Sequence, residues 1–225
     1  MLRWDIDFRP TSFSEMTLYP ELSSVLSRYE RTGDFGNLLF YGGTGVGKTT
    51  AAKILAEKHA KSVLYIDCGY TNSKTEMMGV LNQTTSVTLD GGRRIIILDE
   101  FQNVKKDNMG VFNLHLERPD NPNTFIFCTN DIDKITPQIS SRCKRMRFDI
   151  GLMNKRTNAW EPFSYTGMTK EDWIKELHRV GKIVAKSAGY KISKEQLTKA
   201  TSRDDMIVDF RNFLQRLEEY AKEND

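Results

Sequence analysis

Eight residues near the start of the chain have the types and spacing of a loop that binds phosphate groups. The run reads Gly42-Gly43-Thr44-Gly45-Val46-Gly47-Lys48-Thr49 and fits the pattern G-x-x-x-x-G-K-S/T. Glycines let backbone amides surround a phosphate, and the start of a following helix adds a favourable dipole. Lys48 is expected to reach the β- and γ-phosphates and the Thr49 hydroxyl to bind Mg²⁺, with Thr50 beside it in the same site.

Two carboxylates, Asp99 and Glu100, come directly after the apolar run 95–98. A buried strand that ends in acidic residues, behind a phosphate loop, suits metal-assisted hydrolysis. Asp99 is expected to hold Mg²⁺ through water, and Glu100 to orient and polarise the attacking water. Asn130 follows the next predicted strand, where its amide would lie beside the γ-phosphate, although an asparagine after a strand is also an ordinary turn residue.

Short apolar runs alternate with helical patterns through the first 150 residues, and these elements would position the polar groups. The predicted strands are 38–41, 63–66, 94–98, 124–128 and 146–148, and the predicted helices are 48–61, 74–83 and 107–117. Strands that alternate with helices predict a parallel sheet covered by helices. The run 94–98 is apolar almost throughout, as expected of a strand covered on both faces. We therefore expect an α/β nucleotide-binding domain over residues 1–149.

The pattern changes after this region. Residues 150–168 are expected to form an irregular linker or insertion, and residues 169–225 a small all-helical lid domain. Capping boxes beginning at Thr169 and Ser193 mark two helix starts. Apolar stripes at helical spacing predict the buried faces of the first and last lid helices. The first stripe is Trp173, Leu177, Val180 and Val184, and the last is Met206, Phe210, Phe213, Leu217 and Tyr220.

Composition excludes several classes of protein. Hydrophobic residues make up 39% and charged residues 28% of 225 residues, which is ordinary for a globular chain. No apolar run approaches the roughly 20 residues of a membrane span, and the N-terminus has no signal-peptide pattern. Three cysteines without a C-x-x-C pair, together with three histidines, argue against a zinc site and fit a reducing compartment. With a net charge of +3, nucleic-acid binding would depend on local patches.

Several short motifs occur together in a fixed order. They are Phe8-Arg9-Pro10, the phosphate loop, Asp99-Glu100, Thr129-Asn130, Ser141-Arg142-Cys143 and Asp209-Phe210-Arg211. This set resembles AAA+ ATPases of the sliding-clamp loader family, and is similar to the small, ATP-hydrolysing subunit of T-even-type phage clamp loaders. The resemblance runs from residue 3 to about residue 220. It implies an AAA+ P-loop NTPase fold with a five-stranded parallel sheet and a helical lid.

The resemblance also implies roles for residues whose types alone do not reveal one. Asn130 becomes the γ-phosphate sensor, and Arg142 an arginine finger that reaches the ATP of a neighbouring subunit, although its basic surroundings also fit a solvated face. Arg211 becomes a second sensor that touches ATP in its own subunit. The adenine pocket would be lined by Asp7, Phe8, Arg9, Pro10 and Thr17.

The implied activity is that of a clamp-loader ATPase in DNA replication. With ATP and Mg²⁺, an oligomer of such subunits would open a ring-shaped sliding clamp and load it on primer–template DNA, with no membrane partner and in the cytoplasm, the host cytoplasm if a phage encodes it. Contacts with DNA would be made to phosphates. Taken singly, each candidate fits a solvated surface residue better than a DNA contact. The candidates are Lys74, Thr75, Arg93, Arg94, Lys105 and Lys106.

Two departures from the family pattern leave alternatives open. Family subunits continue through a helical collar domain that this chain, ending at Asp225, is expected to lack, and Asn113 and Leu114 stand where relatives often carry a basic pair. One alternative is another AAA+ DNA-replication or recombination ATPase, such as a helicase loader or a branch-migration motor. A second is a non-hydrolysing, ATP-binding scaffold subunit, against which the intact Thr49 and Glu100 argue.

Overall fold

The computed structural model of the protein describes residues 3–84, 92–118, 121–154, 159–202 and 209–223. The chain divides into two compact units. Residues 28–42 and 51–147 form the sheet unit, and residues 1–27, 43–50 and 148–225 form the loop–lid unit. This grouping by compactness does not follow the predicted limits at residues 149 and 169, which stay a prediction of domain organisation. No helix within the described ranges is long and apolar enough to cross a membrane.

Five strands form one sheet in the sheet unit, with the order β2-β3-β4-β1-β5. They are β1 (Leu38–Tyr41), β2 (Ser62–Asp67), β3 (Arg94–Asp99), β4 (Asn123–Thr129) and β5 (Lys144–Arg147). Neighbouring strands are parallel throughout. The interior strands β3 and β4 are buried along nearly their whole length, as expected of a sheet with helices on both faces. The predicted five-stranded parallel sheet is confirmed.

Strand register brings the carboxyl ends of three strands to one edge of the sheet. Tyr41 of β1 pairs with Thr129 of β4, and Leu98 of β3 pairs with Phe127 of β4. Gly42 follows β1 directly, and its N–H donates to the Thr129 carbonyl at 3.3 Å. The phosphate loop therefore begins at the edge where β3 and β4 end, which is where ligands bind in open parallel sheets.

Helices precede and connect the strands. In chain order they are α1 (Trp4–Asp7), α2 (Pro20–Thr32), α3 (Lys48–His59), α4 (Lys74–Thr84), α5 (Lys106–Met109), α6 (Asn113–Glu117) and α7 (Pro137–Ser141). The sequence prediction missed α2, which has proline at its first position, where a missing N–H costs least. The predicted single helix over 107–117 is only partly right, because its residues are helical but a 3₁₀ turn at Gly110–Phe112 separates α5 from α6.

Aromatic packing explains that interruption. Phe112 lies inside the turn and is fully buried, with its ring 5.6 Å from the rings of Phe101 and Phe127 and 6.1 Å from that of Phe125. Gly110 opens the turn, and glycine disfavours a continuous helix by about 1 kcal/mol relative to alanine. Burial of one large ring thus outweighs the regular helix that the local periodicity predicts.

Three further helices form the lid part of the loop–lid unit. They are α8 (Lys170–Ser187), α9 (Lys194–Ala200) and α10 (Phe210–Lys222). Both predicted capping boxes are present, from Thr169 to Asp172 and from Ser193 to Gln196. The buried face of α10 consists of Phe213, Leu214, Leu217 and Ala221.

The predicted stripe on the last helix is therefore only partly right. Phe213 and Leu217 lie inside, whereas Phe210 and Tyr220 are half-buried and Met206 lies outside the described residues. Gly181 of α8 sets the packing, since a Cβ there would lie 2.9 Å from both Phe213 and Leu217. The close approach centres α10 on these two residues rather than on Phe210.

A small hairpin occupies the segment that the sequence left irregular. Strands β6 (Gly151–Asn154) and β7 (Ala159–Pro162) pair antiparallel. Trp160 of β7 is 2% exposed, and its ring packs where a side chain at Gly151 would otherwise stand. The prediction of an irregular linker is thus corrected for these two strands, because burial of one large aromatic ring orders them.

Arg93 is a structural side chain in the sheet unit. Its guanidinium donates to the Gly33 carbonyl at 2.7 Å, to the Phe35 carbonyl, and to Thr124 Oγ1 at 2.8 Å. It also lies 4.0 Å from the centroid of the Phe35 ring. The guanidinium holds the turn before β1 against β4, so these contacts fix the position at which the chain enters β1.

Replacing Arg93 with alanine is expected to lower the free energy of unfolding by about 3 kcal/mol, because hydrogen bonds from a charged donor contribute about 1.5–3 kcal/mol each and two carbonyls lose their partner. Urea unfolding followed by circular dichroism measures the change. The matched control is Arg118→Ala at an exposed arginine, which should change stability by less than about 0.5 kcal/mol. Equal stability of the two variants would contradict the structural role.

Candidate active site

The phosphate loop connects β1 to α3, which begins at Lys48. Gly45 and Gly47 have φ values of 69° and 94°, in the left-handed region that glycine adopts without strain. Lys48 is only 7% exposed, and its ammonium donates to the Gly43 carbonyl within the loop itself. The glycine-rich turn and a buried cation are the arrangement that attracts phosphate groups.

A carboxylate from far along the chain fixes the start of this loop. The Gly43 N–H donates to Asp149 Oδ1 at 2.7 Å across a separation of 106 residues. The Asp149 carbonyl in turn accepts from the Tyr165 hydroxyl at 2.7 Å. Sequence reasoning missed Asp149, and no local pattern identifies it, because its partner lies in a distant segment.

The cap of the last lid helix packs against the same loop. The Asp209 carboxylate accepts from the backbone N–H groups of Arg211 and Asn212 at 2.9 and 3.2 Å. It also fills the space beside Gly45, where a Cβ would overlap it. Arg211 lies exposed in the first turn of α10, so the predicted second sensor belongs to the helix whose cap meets the phosphate loop.

The opening segment reaches the loop as well. Met16 packs against Gly47, where a Cβ would lie 2.7 Å from the Met16 methyl carbon. Next to it, Thr17 is 9% exposed, and its hydroxyl oxygen has no hydrogen-bond partner in the described part of the chain. A buried hydroxyl without a partner is costly, so its position fits a group that a bound ligand satisfies.

The remaining predicted adenine-pocket residues lie just before this point. Phe8 and Pro10 are half-buried, whereas Asp7 and Arg9 are exposed. The Asp7 carboxylate accepts from the Arg3 N–H at 2.6 Å. These four residues therefore line up along the end of α1 and the segment after it, within the same unit as the phosphate loop.

An arginine that sequence reasoning missed joins the opening segment to the lid. Arg179 of α8 donates to the carbonyls of Ser14 and Met16 at 3.1 and 3.3 Å. The carboxylate of Glu176, one turn earlier, accepts from the Nε and Nη2 groups of this guanidinium, and this raises the pKa of Arg179 above its usual value. The loop–lid unit thus brings together the opening segment, the phosphate loop and two lid helices.

The predicted catalytic carboxylates lie at the end of β3 in the sheet unit. Asp99 is 9% exposed, and its two oxygens accept from the Tyr65 hydroxyl at 2.8 Å and from the Glu100 N–H at 3.1 Å. Glu100 has a φ of 52°, the one positive φ among described residues other than glycine, a conformation that costs about 1–3 kcal/mol. Such strain is typical of functional sites.

Glu100 and Asn130 form a direct pair, as the adjacent strand ends predict. The Asn130 amide donates to the Glu100 carboxylate oxygens at 3.0 and 3.3 Å. Gln102 completes a triangle, because its amide donates to Glu100 and its carbonyl oxygen accepts from the Asn130 N–H at 3.0 Å. The sequence analysis did not identify Gln102 as a site residue, although a polar side chain two residues after Glu100 was a local signal for one.

Ionisable side chains next to these carboxylates stay protonated. Burial raises the pKa of the Cys68 thiol to about 12, and the charges of Asp99, Asp67 and Glu100 add to the shift. Burial, followed by the hydrogen bond to Asp99, also raises the pKa of Tyr65 above its usual value. Near neutral pH both groups are therefore neutral, and Tyr65 acts as a hydrogen-bond donor.

The structure places the other predicted residues on the sheet unit's surface. Arg142 follows α7 and donates to the Gln138 carbonyl at 2.7 Å and to the Glu117 carboxylate. The remaining candidates for DNA contact differ in exposure. Lys74, Thr75, Lys105 and Lys106 are exposed, whereas Arg93 and Arg94 are half-buried.

The residues present fit a nucleotide with Mg²⁺. Within the described ranges, no group of three or more His, Cys, Asp or Glu side chains could hold a metal ion by itself. Mg²⁺ commonly binds one or two protein groups together with phosphate oxygens, which is what a phosphate loop and Asp99 would supply. The buried hydroxyl of Thr17, without a partner in the described chain, fits a ligand that makes a hydrogen bond to it.

A parallel sheet with a glycine-rich phosphate loop after β1 and a carboxylate pair after β3 defines a P-loop nucleotide-binding protein. The family model of the "ATPase family associated with various cellular activities (AAA)" matches residues 38–152. The chain belongs to this family, and its fold is that of an AAA+ P-loop NTPase.

Several curated proteins are similar to the chain. A replication factor C small subunit 1 of Pyrobaculum islandicum is 30% identical over 154 residues, which is 65% of this chain and 47% of the relative. A putative replication factor C small subunit of Acanthamoeba polyphaga mimivirus is 26% identical over 160 residues, or 65% of this chain and 46% of the relative. The chain thus spans about half the length of these curated relatives.

Solved structures show the same fold. A variant of RuvB from Thermotoga maritima matches with a TM-score of 0.68 and 18% identity, covering 93% of this chain and 64% of that one. At this identity the likeness concerns the fold alone.

Replacing Asp149 with alanine is expected to lower nucleotide affinity about tenfold, because the start of the phosphate loop loses one charge-assisted hydrogen bond. Titration with a fluorescent ADP analogue measures the affinity. Asp149→Asn is the control, since its carbonyl oxygen can still accept from Gly43 and should preserve most of the affinity. If Asp149→Ala binds as tightly as the unmodified protein, Asp149 does not anchor the loop.

Proposed function

We propose that the chain is the ATPase subunit of a DNA polymerase sliding-clamp loader. In this function, ATP binding opens a ring-shaped clamp, and hydrolysis releases it on primer–template DNA. Two observations support the proposal. The chain is 26–30% identical to replication factor C small subunits, and the motifs that resemble clamp loaders follow one another in the family's order.

The chemistry assigned to the site is hydrolysis of ATP with Mg²⁺. Backbone amides of the loop and the ammonium of Lys48 would bind the phosphates. Thr49 and Asp99 would hold Mg²⁺, which neutralises charge on the phosphates, with Thr50 beside them. The opening segment would receive the adenine, with the buried Thr17 hydroxyl gaining a partner.

The observation that carries the proposal of hydrolysis is the pair of Asn130 and Glu100. In the structure, the carboxylate accepts from the Asn130 amide and from Gln102. A γ-phosphate would compete for the Asn130 amide and free the carboxylate to polarise a water molecule. Asn130 would thereby act as a sensor that couples the presence of triphosphate to the release of the base.

Two arginines would also contact a γ-phosphate, one in a neighbouring subunit and one in its own subunit. Arg142 would serve a neighbouring subunit, after its guanidinium leaves the exposed Glu117 carboxylate. Arg211 would read the γ-phosphate in its own subunit, since an arginine fork donates two hydrogen bonds to phosphate oxygens. Arg211 would thus stabilise the lid position of the ATP-bound state more than that of the ADP-bound state.

DNA would be bound through phosphate contacts, without base preference. The exposed candidates Lys74, Thr75, Lys105 and Lys106 are kept in this proposal, with Arg94 in second place. Arg93 is left out, because its guanidinium is occupied by Gly33, Phe35 and Thr124.

The proposal also includes the partners of the chain and the type of clamp loader. The partners are other loader subunits, a sliding clamp and primer–template DNA, and the chain is of the T-even phage type. A helicase loader, a branch-migration motor and a non-hydrolysing scaffold remain the alternatives. The likeness to RuvB does not favour a branch-migration motor, because it concerns the fold alone.

Replacing Glu100 with glutamine is expected to leave ATP binding nearly unchanged and to slow hydrolysis by about 10²–10⁴, the usual contribution of a positioned base. The ATPase rate is measured with and without primer–template DNA and candidate clamps, which should stimulate the unmodified protein. Glu57→Gln, at an exposed carboxylate of α3, is the control. Normal turnover by Glu100→Gln rules out the role assigned to Glu100. Absence of ATP hydrolysis by the unmodified protein would instead support the alternative of a non-hydrolysing scaffold subunit.

Replacing Arg142 with alanine is expected to leave ATP binding intact and to reduce hydrolysis by about 10³ or more, because the neighbour loses its finger. Mixing this variant with a Lys48→Ala variant should restore part of the activity, since each supplies what the other lacks at one interface. Arg145→Ala, at an exposed arginine nearby, should retain activity. A mixture that co-assembles by light scattering but stays inactive contradicts the action in trans.

A further inference from the structure

Tyr65 makes a hydrogen bond at the candidate site that has no role in the proposed function described above. It lies on the edge strand β2, paired with Ile97 of β3, and its hydroxyl donates to Asp99 Oδ2 at 2.8 Å. The second oxygen of Asp99 accepts from the Glu100 N–H. Asp99 therefore has a donor on each carboxylate oxygen, and the donor on Oδ2 is a side chain of the neighbouring strand β2.

The Tyr65 ring is held from its other side by α3. The ammonium of Lys53 lies 4.8 Å from the ring centroid, within the range of a cation–π contact. Lys53 stands four residues after Thr49 on α3, so the two side chains share one face of the helix. Tyr65 thus contacts both Asp99, a proposed ligand of Mg²⁺, and Lys53 of α3.

We propose that Tyr65 is a positioning residue of the metal site, which fixes the orientation of the Asp99 carboxylate. The inference rests on the proposed function, since it concerns Mg²⁺ bound with a nucleotide. Groups that hydrogen-bond to a metal ligand orient that ligand, and their removal commonly lowers metal affinity about ten- to a hundredfold.

The hydroxyl and the ring of Tyr65 make different contacts, so two variants can remove them separately. The hydroxyl holds Asp99, whereas the ring contacts Lys53. Tyr65→Phe removes the first contact and keeps the second. Lys53→Met removes the cation and keeps the hydroxyl. Tyr65→Phe removes a hydrogen bond to the Asp99 carboxylate, whereas Lys53→Met keeps it, so we expect Tyr65→Phe to weaken metal binding more strongly than Lys53→Met.

The test is a Mn²⁺ titration of the ADP-bound protein, followed by electron paramagnetic resonance. Tyr65→Phe is expected to bind Mn²⁺ about ten- to a hundredfold more weakly than the unmodified protein. Its affinity for ADP in the presence of EDTA should be unchanged, because no phosphate or adenine contact is removed. Tyr70→Phe, at an 86% exposed tyrosine that follows the same strand, is the matched control and should behave as the unmodified protein.

Three outcomes overturn the inference. The first is Mn²⁺ affinity of Tyr65→Phe equal to that of Tyr70→Phe. The second is an equal loss of ADP affinity with and without metal, which would indicate a general structural effect. The third is a further loss when Tyr65→Phe is added to Asp99→Asn, since the hydroxyl would then act on the metal through some other group.

The unmodified protein separates this inference from the proposed function. If it binds no nucleotide and shows no metal-dependent affinity, the proposed function fails. If it binds Mn²⁺ with ADP and hydrolyses ATP, but Tyr65→Phe matches it in Mn²⁺ affinity, the inference alone fails. Thermal unfolding of both tyrosine variants confirms that each is folded before the titration is compared.

Discussion

Burial of β3 and β4 on both faces is the constraint that orders the rest of the structure. Strands with apolar side chains on both faces need helices on either side, and parallel strands joined through helices satisfy that need. A parallel arrangement then brings the carboxyl ends of β1, β3 and β4 to one edge. Gly42 and Asn130, which follow β1 and β4, and Asp99, which ends β3, gather there for this reason.

Charged groups at the candidate site already have partners inside the protein. Lys48 donates to a loop carbonyl, Glu100 accepts from Asn130, and Arg142 lies against Glu117. Partly buried charges need such partners, since an unpaired one costs several kcal/mol of desolvation. Each partner is a group with which a bound nucleotide would compete.

Local patterns predicted much of the fold and of the candidate site. The bounds of β1 and the two capping boxes agree with the sequence interpretation, because strand burial and helix caps depend on neighbouring residues. The helix over 107–117, the irregular segment 150–168 and the stripe through Phe210 were wrong wholly or in part. In each case a large side chain, Phe112, Trp160 or Phe213, found a buried place that local periodicity does not encode.

By itself the sequence determined the phosphate loop, the carboxylates after β3 and the alternation of strands and helices, since these follow from residue types at short spacing. Only the tertiary structure decided which groups hold them. Asp149 anchors Gly43 from 106 residues away, Arg179 of the lid holds the opening segment, and Tyr65 orients Asp99. Such partners are chosen by packing between distant segments, and no local spacing records that choice.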